Sequence, residues 1–285
     1  MSMNDYSEYE DSGEFSLLSF IKIVLRNKST LIENEDKRIL LYRGHSNQGY
    51  GLIPSVFRDN YIKREHELVK ELHRYCPEEF NTLPSTLDKL IKMQHYGLPT
   101  RLLDVTLNPL VALFFACQEN DGDSTDGEVI AIPSYVKTTE DFKVSLYAEL
   151  ATIDDSNLKR VISAKFKQDD KNIRELQDDL KNEFEERSIP IIVAQNNNRI
   201  KRQQGAFLLF GLDPNSEMFL SKKTIFDEKP LLQGKAEEGI ESFIKIPKEE
   251  KAKILKELDA IGINHSFLFP ELEHQATYLK NKFAE

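Results

Sequence analysis

The amino-acid sequence predicts an α+β protein whose helices are concentrated in an insertion after the first strand. Two observations lead to this fold class. Short apolar runs typical of strands and longer runs with apolar residues at helical spacing follow one another irregularly, without the regular alternation of a parallel α/β sheet. The sequence also contains no internal repeats and no low-complexity tracts, so we expect a single domain over residues 15–285.

The first part of the chain supplies the predicted insertion. Residues 1–14 are polar and acidic, and we predict that they are disordered. A helix is predicted from Phe15 and a strand over "KRILLYRG", ending at Gly44. After a loop rich in Gly, Pro and Asn, two helices are predicted, over residues 61–75 and over "STLDKLIKMQHYG". These two helices form the insertion after the first strand.

The second part of the chain completes the predicted sheet. "LNPLVALFFACQ" is predicted to be a short buried helix that begins at Pro109, because proline is well tolerated at the first helical position. Strands are predicted for "EVIAIPSY", ending at Pro133, and for "IPIIVA", "AFLLFG" and "ESFIKIP". Residues 138–187 are polar and carry charges of both signs, so we predict a polar helical insertion there. A helix after Pro247 and a terminal helical segment follow.

The amino-acid composition argues against several classes of function. Hydrophobic residues make up 40% of the 285 residues and charged residues 30%, with a net charge of -10. This balance predicts a soluble protein and argues against general nucleic-acid binding, which needs a basic face. No apolar run reaches the roughly 20 residues of a membrane span, and the acidic start does not resemble a signal peptide. Cys76 and Cys117 form no metal or redox motif. We therefore expect a cytoplasmic protein without membrane association and without a metal.

Three stretches place polar side chains at strand ends or turns, next to small or strongly apolar residues. They are Tyr42-Arg43-Gly44, "MQHYGLPTRLLDVTLNPLVALFFA" and "NNNRIKRQQGAFLLFG". An arginine offers a rigid fork of donors that suits a phosphate or a carboxylate, and Gly44 lets a ligand or another backbone come close. A structural interpretation stays open, in which Arg43 pairs with Asp104 and ties the first strand to the second stretch.

The order of these motifs resembles the FRG domain, a bacterial family named for a Phe-Arg-Gly signature. The resemblance rests on "YRG", with Tyr42 in place of Phe, on "HYGLPTRLLDVTLNPLVALFFA", on "RQQGAF" and on "GINHSFLFPELE". It spans residues 40–275 and implies a single FRG-type domain over residues 15–285. The family name implies no particular reaction.

The segment "DVTLNPLVALFFACQENDGDSTDGEVIAI" is also similar to part of the ADP-ribosyltransferases of the Arg-Ser-Glu type, in which a strand, a short apolar helix and another strand follow one another. This second resemblance implies an ADP-ribosyltransferase-like split β core and NAD as the substrate. It places Arg43, Thr106 and the Gln203-Gln204 pair where those enzymes have their Arg, Ser and Glu.

The resemblance also implies roles for these residues. Arg43 would hold the pyrophosphate, Thr106 would orient the nicotinamide ribose, and Tyr42 or Tyr96 would stack on nicotinamide. Cleavage passes through an oxocarbenium-like state that is stabilised by a carboxylate, whereas glutamine carries no charge. Three explanations stay open: Asp104 supplies the carboxylate, the site is slow, or it binds a nucleotide without cleaving it.

These arguments define two sets of candidate site residues. The candidate catalytic residues are Arg43, Asp104, Thr106, Gln203 and Gln204. The candidate cofactor-binding residues are Tyr42, Arg43, Gly44, His95, Tyr96 and Arg101. For His95, a general acid or base and a histidine that caps the end of its helix are both open.

The leading hypothesis is a cytoplasmic FRG-domain protein that binds NAD or a related nucleotide and transfers ADP-ribose to a protein or nucleic-acid target, as a toxin or phage-defence effector. The alternative is a non-catalytic module that senses a nucleotide or binds a protein. A third hypothesis is a phosphodiesterase that uses Asp104 and His95, although the metal-binding carboxylates that it needs are not evident in the sequence. The sequence predicts neither the target nor the oligomeric state.

Overall fold

The computed structural model describes residues 15–59, 61–118, 125–154, 188–195, 197–211 and 240–283, and these residues form helices around an antiparallel sheet. The predicted α+β class is confirmed. The predictions for residues 1–14 and for residues 155–187 of the polar stretch lie outside the described residues. None of the helices in the described part of the chain has the length and the apolar character that a membrane span requires.

The described strands form one sheet, and their bounds are β1 (Ile39–His45), β2 (Leu102–Thr106), β3 (Gly127–Ser134), β4 (Ser188–Ile191), β5 (Gly205–Phe210) and β6 (Phe243–Ile246). They lie in the order β4-β5-β2-β1-β3-β6, and every neighbouring pair is antiparallel. β3 continues past Pro133, where the sequence predicted its end. Since β6 pairs only with residues 127–130, β3 is an edge strand on that side at Pro133, a position where proline is tolerated.

The described helices are α1 (Leu17–Glu33), α2 (Glu65–Tyr75), α3 (Pro77–Phe80), α4 (Thr86–His95), α5 (Pro109–Ala116), α6 (Phe142–Glu149), α7 (Asn198–Arg202), α8 (Lys251–Ala260), α9 (His265–Leu268) and α10 (Leu272–Lys282). Helices α2, α3 and α4 lie between β1 and β2 in the chain, as the predicted insertion requires. The Ser85 hydroxyl accepts a hydrogen bond from the Asp88 amide at 3.1 Å and begins α4. Asn108 caps α5 in the same way, through the Leu110 amide at 3.0 Å.

The sheet is divided between β1 and β2. A single residue pair, Tyr42 opposite Thr106, holds these two strands in register. By contrast, β1 pairs with β3 along its whole length, and β2 does the same with β5. The residues that follow Tyr42 in β1, from Arg43 to His45, have no register partner among the described residues of β2. The sheet therefore consists of two three-stranded halves, β4-β5-β2 and β1-β3-β6, which meet at one pair.

Separate groups of helices cover the two halves on the same face of the sheet. Leu102 in β2 and Phe207 in β5 pack with apolar residues of α4 and α6. Leu40 and Tyr42 in β1 pack with α1, α5 and α8. The opposite face carries Leu41 and the odd-numbered residues of β2, which the loop around residues 52–57 covers. Each helical group packs on its own half of the sheet, so the seam between the halves lies between two separate cores.

The beginning of the predicted polar insertion belongs to the core. Helix α6 and the short turn after it bury Val144, Leu146, Tyr147 and Leu150 against the β4-β5-β2 half. Charged residues dominate the stretch 138–187 as a whole, and they conceal this apolar segment near its start. The buried side chains of this segment therefore belong to the core, within a stretch for which the sequence predicted a polar helical insertion.

Gly44 lets α5 lie directly on β1. A Cβ atom on Gly44 would lie 1.9 Å from the carbonyl oxygen of Ala112 and 2.8 Å from the amide nitrogen of Ala116, both in α5. Gly127 in β3 is crowded by the same helix, with the Ala116 carbonyl oxygen 2.3 Å from its would-be Cβ. The sequence left open whether a ligand or another backbone approaches Gly44, and the structure places the backbone of α5 there.

Arg101 occupies the core and not the predicted cofactor-binding site. Its side chain is 1% exposed and forms a two-pronged ion pair with Glu65 of α2, whose side chain is equally buried. Arg101 Nη1 also donates to the Phe210 carbonyl oxygen at 2.9 Å. The pair joins the helical insertion to the beginning of β2 and the end of β5. The guanidinium that the sequence assigned to cofactor binding is therefore already paired with a carboxylate of the same chain.

Replacing Arg101 with alanine is expected to lower the free energy of unfolding by about 3–5 kcal/mol, because the Glu65 carboxylate would be left buried without a partner. Urea denaturation followed by circular dichroism measures this change. Arg64→Ala is the matched control, because Arg64 forms an exposed pair with Glu67 and its loss should have a much smaller effect. Equal destabilisation by the two variants would contradict the structural role of Arg101.

Candidate functional site

A cleft opens on the helical face of the sheet where the two halves meet. Its volume is about 220 Å³. The seam between β1 and β2 forms its floor, α5 forms one wall, and α7 with the residue after it forms another. The lining residues are Tyr42, Arg43, Gly44, Asp104, Val105, Thr106, Val111, Ala112, Phe115, Arg199 and Gln203. Five of the predicted site residues on β1 and β2 are thus brought together with Gln203.

Arg43 crosses the seam with its side chain. Its Nη1 donates to the main-chain carbonyl oxygen of Asp104 at 2.7 Å, so it binds the backbone of β2 and not the Asp104 carboxylate. The Nε atom of Arg43 is buried and has no hydrogen-bond partner among the described residues. Burial lowers the pKa of the guanidinium, and the negative charge of Asp104 acts in the opposite direction. A half-buried cation with an unused donor therefore lies in the cleft.

Tyr42 contributes a second unused polar group. The side chain is only 1% exposed, and its hydroxyl finds no hydrogen-bond partner among the described residues. Burial raises the pKa of this phenol to about 12. Leaving a buried hydroxyl unpaired costs about 1–3 kcal/mol, so the position is one that a bound polar group would stabilise.

Thr106 is already engaged within the protein. Its hydroxyl donates to the Gln203 carbonyl oxygen at 2.6 Å and accepts from the Asn108 amide at 2.9 Å. These bonds tie the end of β2 to the turn before β5 and to the beginning of α5. The residue lines the cleft, as predicted, but the hydroxyl is occupied by structural hydrogen bonds.

The two adjacent glutamines have different surroundings. Gln203 ends α7 and lines the cleft, and its Nε2 donates to the Leu268 carbonyl oxygen at 3.1 Å. Gln204 is exposed and adopts a left-handed backbone conformation with φ of 45°. It does not line the cleft or either of the neighbouring cavities, because it forms the turn into β5. Of this predicted pair, the structure brings only Gln203 to the site.

Arg199, which belongs to the third polar stretch, and Phe115 complete the cleft, although neither was among the predicted catalytic or cofactor-binding residues. Asn197 Oδ1 accepts from the Arg199 amide at 2.7 Å and begins α7 within the connector "QNNNRIKRQQG". The Arg199 guanidinium lies 4.8 Å from the ring centre of Phe269, and Phe115 meets the same ring edge-on at 6.0 Å. The asparagine run before a basic segment is the helix-start signal that would have indicated α7.

Two further cavities extend the cleft across β5. The middle cavity, of about 80 Å³, shares Asp104, Val105, Arg199 and Gln203 with the cleft. The outer cavity, of about 300 Å³, lies between α4 and the connection from β4 to α7. The cleft and these two cavities adjoin one another through shared lining residues, and together they are called the groove. The predicted residue Tyr96 lines only the outer cavity and is 71% exposed there.

Asp104 is the only carboxylate in the described lining of the cleft and the middle cavity. It occupies the exposed centre of β2, between buried Leu103 and Val105. Among all described residues, no three His, Cys, Asp or Glu side chains lie close enough together to hold a metal ion. The cluster that a metal-dependent phosphodiesterase needs is therefore not formed by these residues.

Comparison with known families gives one result. Residues 38–125 match the family model of the FRG domain. This confirms the predicted FRG domain over a segment that contains β1, the helical insertion, β2 and α5, whereas the expected resemblance extended to residue 275. Searches among curated proteins and among solved structures found no match.

Tyr42→Phe is expected to reduce the loss of folding stability at high pH. In the unfolded chain a tyrosine titrates near pH 10, whereas folded Tyr42 keeps its proton to about pH 12, so stability falls between these values. Relative to the variant, wild type should lose about 1 kcal/mol of unfolding free energy between pH 8 and pH 11. Denaturant titrations of both proteins at the two pH values give this difference. The same loss in wild type and variant would show that the phenol is not shielded.

Proposed function

Starting from the FRG domain that residues 38–125 match, we propose that the cleft binds NAD or a related nucleotide and that the protein transfers ADP-ribose to a macromolecule. One observation carries the proposal. At the seam of the sheet, a guanidinium nitrogen of Arg43 and the hydroxyl of Tyr42 are buried, and the described part of the chain offers neither of them a hydrogen-bond partner. Unpaired buried donors next to a cleft are the groups that a polar ligand satisfies.

The side chains at the division of the sheet suit the binding of a nucleotide. Arg43 uses Nη1 to hold the Asp104 carbonyl, which orients the guanidinium and leaves Nε and Nη2 for a pyrophosphate oxygen. Arg199 lies on the same lining and adds a second positive charge. Phe115 offers an aromatic edge on the α5 wall. The division between β1 and β2 agrees with the split core that the resemblance to ADP-ribosyltransferases implies.

Asp104 is the residue that we assign to the chemical step. In the transfer, the bond from ribose C1′ to the nicotinamide nitrogen breaks, its electron pair stays on nicotinamide, and an acceptor atom bonds to C1′. Positive charge develops on the ribose ring, and a carboxylate nearby stabilises it. Asp104 is placed on the floor shared by the cleft and the middle cavity. The Gln203 side chain is limited to hydrogen bonding.

A second function, nucleotide sensing without turnover, is favoured by two details. The position where the resemblance places a glutamate is occupied by glutamine, and the Thr106 hydroxyl is already bonded to the Gln203 carbonyl. In this case the same cleft binds the nucleotide, and binding transmits a signal to a protein partner. The roles in toxicity or phage defence follow from the resemblance alone and stay predictions.

Arg43→Ala is expected to weaken NAD binding about 10- to 100-fold, because a charge-assisted hydrogen bond to the pyrophosphate is lost. Titration calorimetry with NAD and with ADP-ribose measures the dissociation constants. Arg43→Lys keeps the charge without the fork and should fall between wild type and the alanine variant. Arg64→Ala serves as the control on an exposed arginine. No binding of either ligand by wild type would contradict the proposed function.

Asp104→Asn separates the two functions. If the protein is a transferase, the variant should bind NAD about as well as wild type and release nicotinamide about 100-fold more slowly. Chromatographic detection of nicotinamide measures this rate, and Asp59→Asn is the control at an exposed turn. NAD binding without nicotinamide release by wild type identifies the sensor. Undiminished release by Asp104→Asn would contradict the role of this carboxylate.

A further inference from the structure

The groove continues beyond the nucleotide cleft, and a single histidine lines both of its further cavities. We propose that the outer cavity receives a polypeptide acceptor and that the acceptor group is a carboxylate, held by a hydrogen bond from His95. The inference rests on the proposed function, because transfer requires NAD in the cleft.

The arrangement of the cavities places His95 at their junction. The middle and outer cavities share His95, Ile91 and Ile200. The middle cavity in turn shares Asp104 and Arg199 with the cleft. A group that reaches from the outer cavity toward a ribose above Asp104 therefore passes the imidazole of His95.

The neighbours of His95 determine which atom carries its proton. Asn197 Oδ1 accepts from the Arg199 amide, so its amide nitrogen faces the histidine, with Nδ2 3.5 Å from His95 Nδ1. An amide nitrogen only donates, so Nδ1 is the acceptor and neutral His95 carries its proton on Nε2. The ring is steadied by an edge-on contact with Tyr96 at 5.2 Å between centres. In this tautomer Nε2 of His95, a residue that lines both cavities, is a hydrogen-bond donor and not a base.

A hydrogen-bond donor at this position suits an ADP-ribose acceptor group that does not have to lose a proton before it attacks. A carboxylate attacks C1′ with one oxygen, the C1′–nitrogen bond breaks, nicotinamide leaves with the electron pair, and an ester forms. No proton changes hands, and His95 Nε2–H holds the second carboxylate oxygen. Hydroxyl or amine acceptors would need a base. A histidine with its proton on Nε2 does not serve as one there, and the Asp104 carboxylate of the middle cavity is assigned to the ribose.

The walls of the outer cavity favour a polypeptide. About half of its described lining is apolar, including Leu83, Val193 and Ile200, and the polar part includes the Asp88 carboxylate. The one cation in that described lining, Lys92, is paired with Glu79. A nucleic acid needs unpaired cations for its phosphates, whereas a partly apolar cavity with a polar donor at its inner end fits an amino-acid side chain next to an Asp or Glu.

The first test compares His95→Phe with His95→Gln. Biotin-labelled NAD and a cell lysate serve as donor and acceptors, and the control reaction without lysate reports release of nicotinamide to water. We expect His95→Phe to lose about 10- to 100-fold more of its rate of transfer to protein than of its rate of NAD hydrolysis. His95→Gln keeps a donor and should retain part of the transfer. Equal loss of hydrolysis and transfer would indicate a merely structural role and overturn the inference.

The second test fills the outer cavity and identifies the bond. Ala194 is exposed and lines only the outer cavity, so Ala194→Trp should abolish transfer to protein and leave NAD binding unchanged. Ala252→Trp, on the exposed face of α8, is the matched control. Protein-bound label should be released by neutral hydroxylamine, which cleaves esters, and mass spectrometry should locate it on Asp, Glu or a C-terminus.

The outcomes distinguish this inference from the function on which it rests. Failure of wild type to bind NAD contradicts the proposed function itself. NAD binding together with a hydroxylamine-stable linkage, nuclease-sensitive label or unaffected transfer by Ala194→Trp contradicts only the carboxylate acceptor site. NAD binding without any transfer to protein also overturns the inference and leaves nucleotide binding intact.

Discussion

The candidate site depends on the point at which β1 and β2 pair through one residue each. Tyr42 and Thr106 hold the two halves of the sheet together, and the strands have no further common register. If the ladder continued, Arg43 would lie beside an ordinary neighbouring strand and its guanidinium would have no gap to enter. Because the ladder stops, the side chain crosses the seam and binds the Asp104 carbonyl. The cleft is therefore a consequence of incomplete strand pairing.

Hydrogen bonding around this seam is divided between groups that support the fold and groups that remain available. Thr106 and Gln203 use their polar atoms to join β2, α5, α7 and the C-terminal helices. The Tyr42 hydroxyl and Arg43 Nε are buried and find no partner within the ranges that the structure describes. Each unpaired group costs about 1–3 kcal/mol, which the remaining packing must offset and which a ligand would recover. The hydrogen-bonded residues shape the cleft, and the unpaired groups are the ones available to a ligand.

Two arginines in these sequence motifs show what a sequence pattern can and cannot predict about a binding site. Arg43 and Arg101 both sit beside apolar strands, and both suggest an anion-binding group. Glu65, which lies far from Arg101 in the chain, reaches it in the core and neutralises it, whereas the described residues offer Arg43 only a carbonyl. The sequence around Arg43 and around Arg101 gives no sign of this difference, because the carboxylate belongs to a helix of the insertion. The sequence therefore identifies candidates, and distant partners decide which of them remain free.

By itself, the sequence determined the α+β class, the order of the strands and of the longer helices, the helical insertion and the FRG segment, because these follow from local periodicity, capping and contiguous motifs. It also placed Arg43, Asp104, Thr106 and Gln203 in one candidate site. The tertiary structure alone decided the division of the sheet, the exclusion of Gln204 and Arg101, and the addition of Arg199. These features depend on contacts between residues far apart in the chain, which local sequence patterns do not encode.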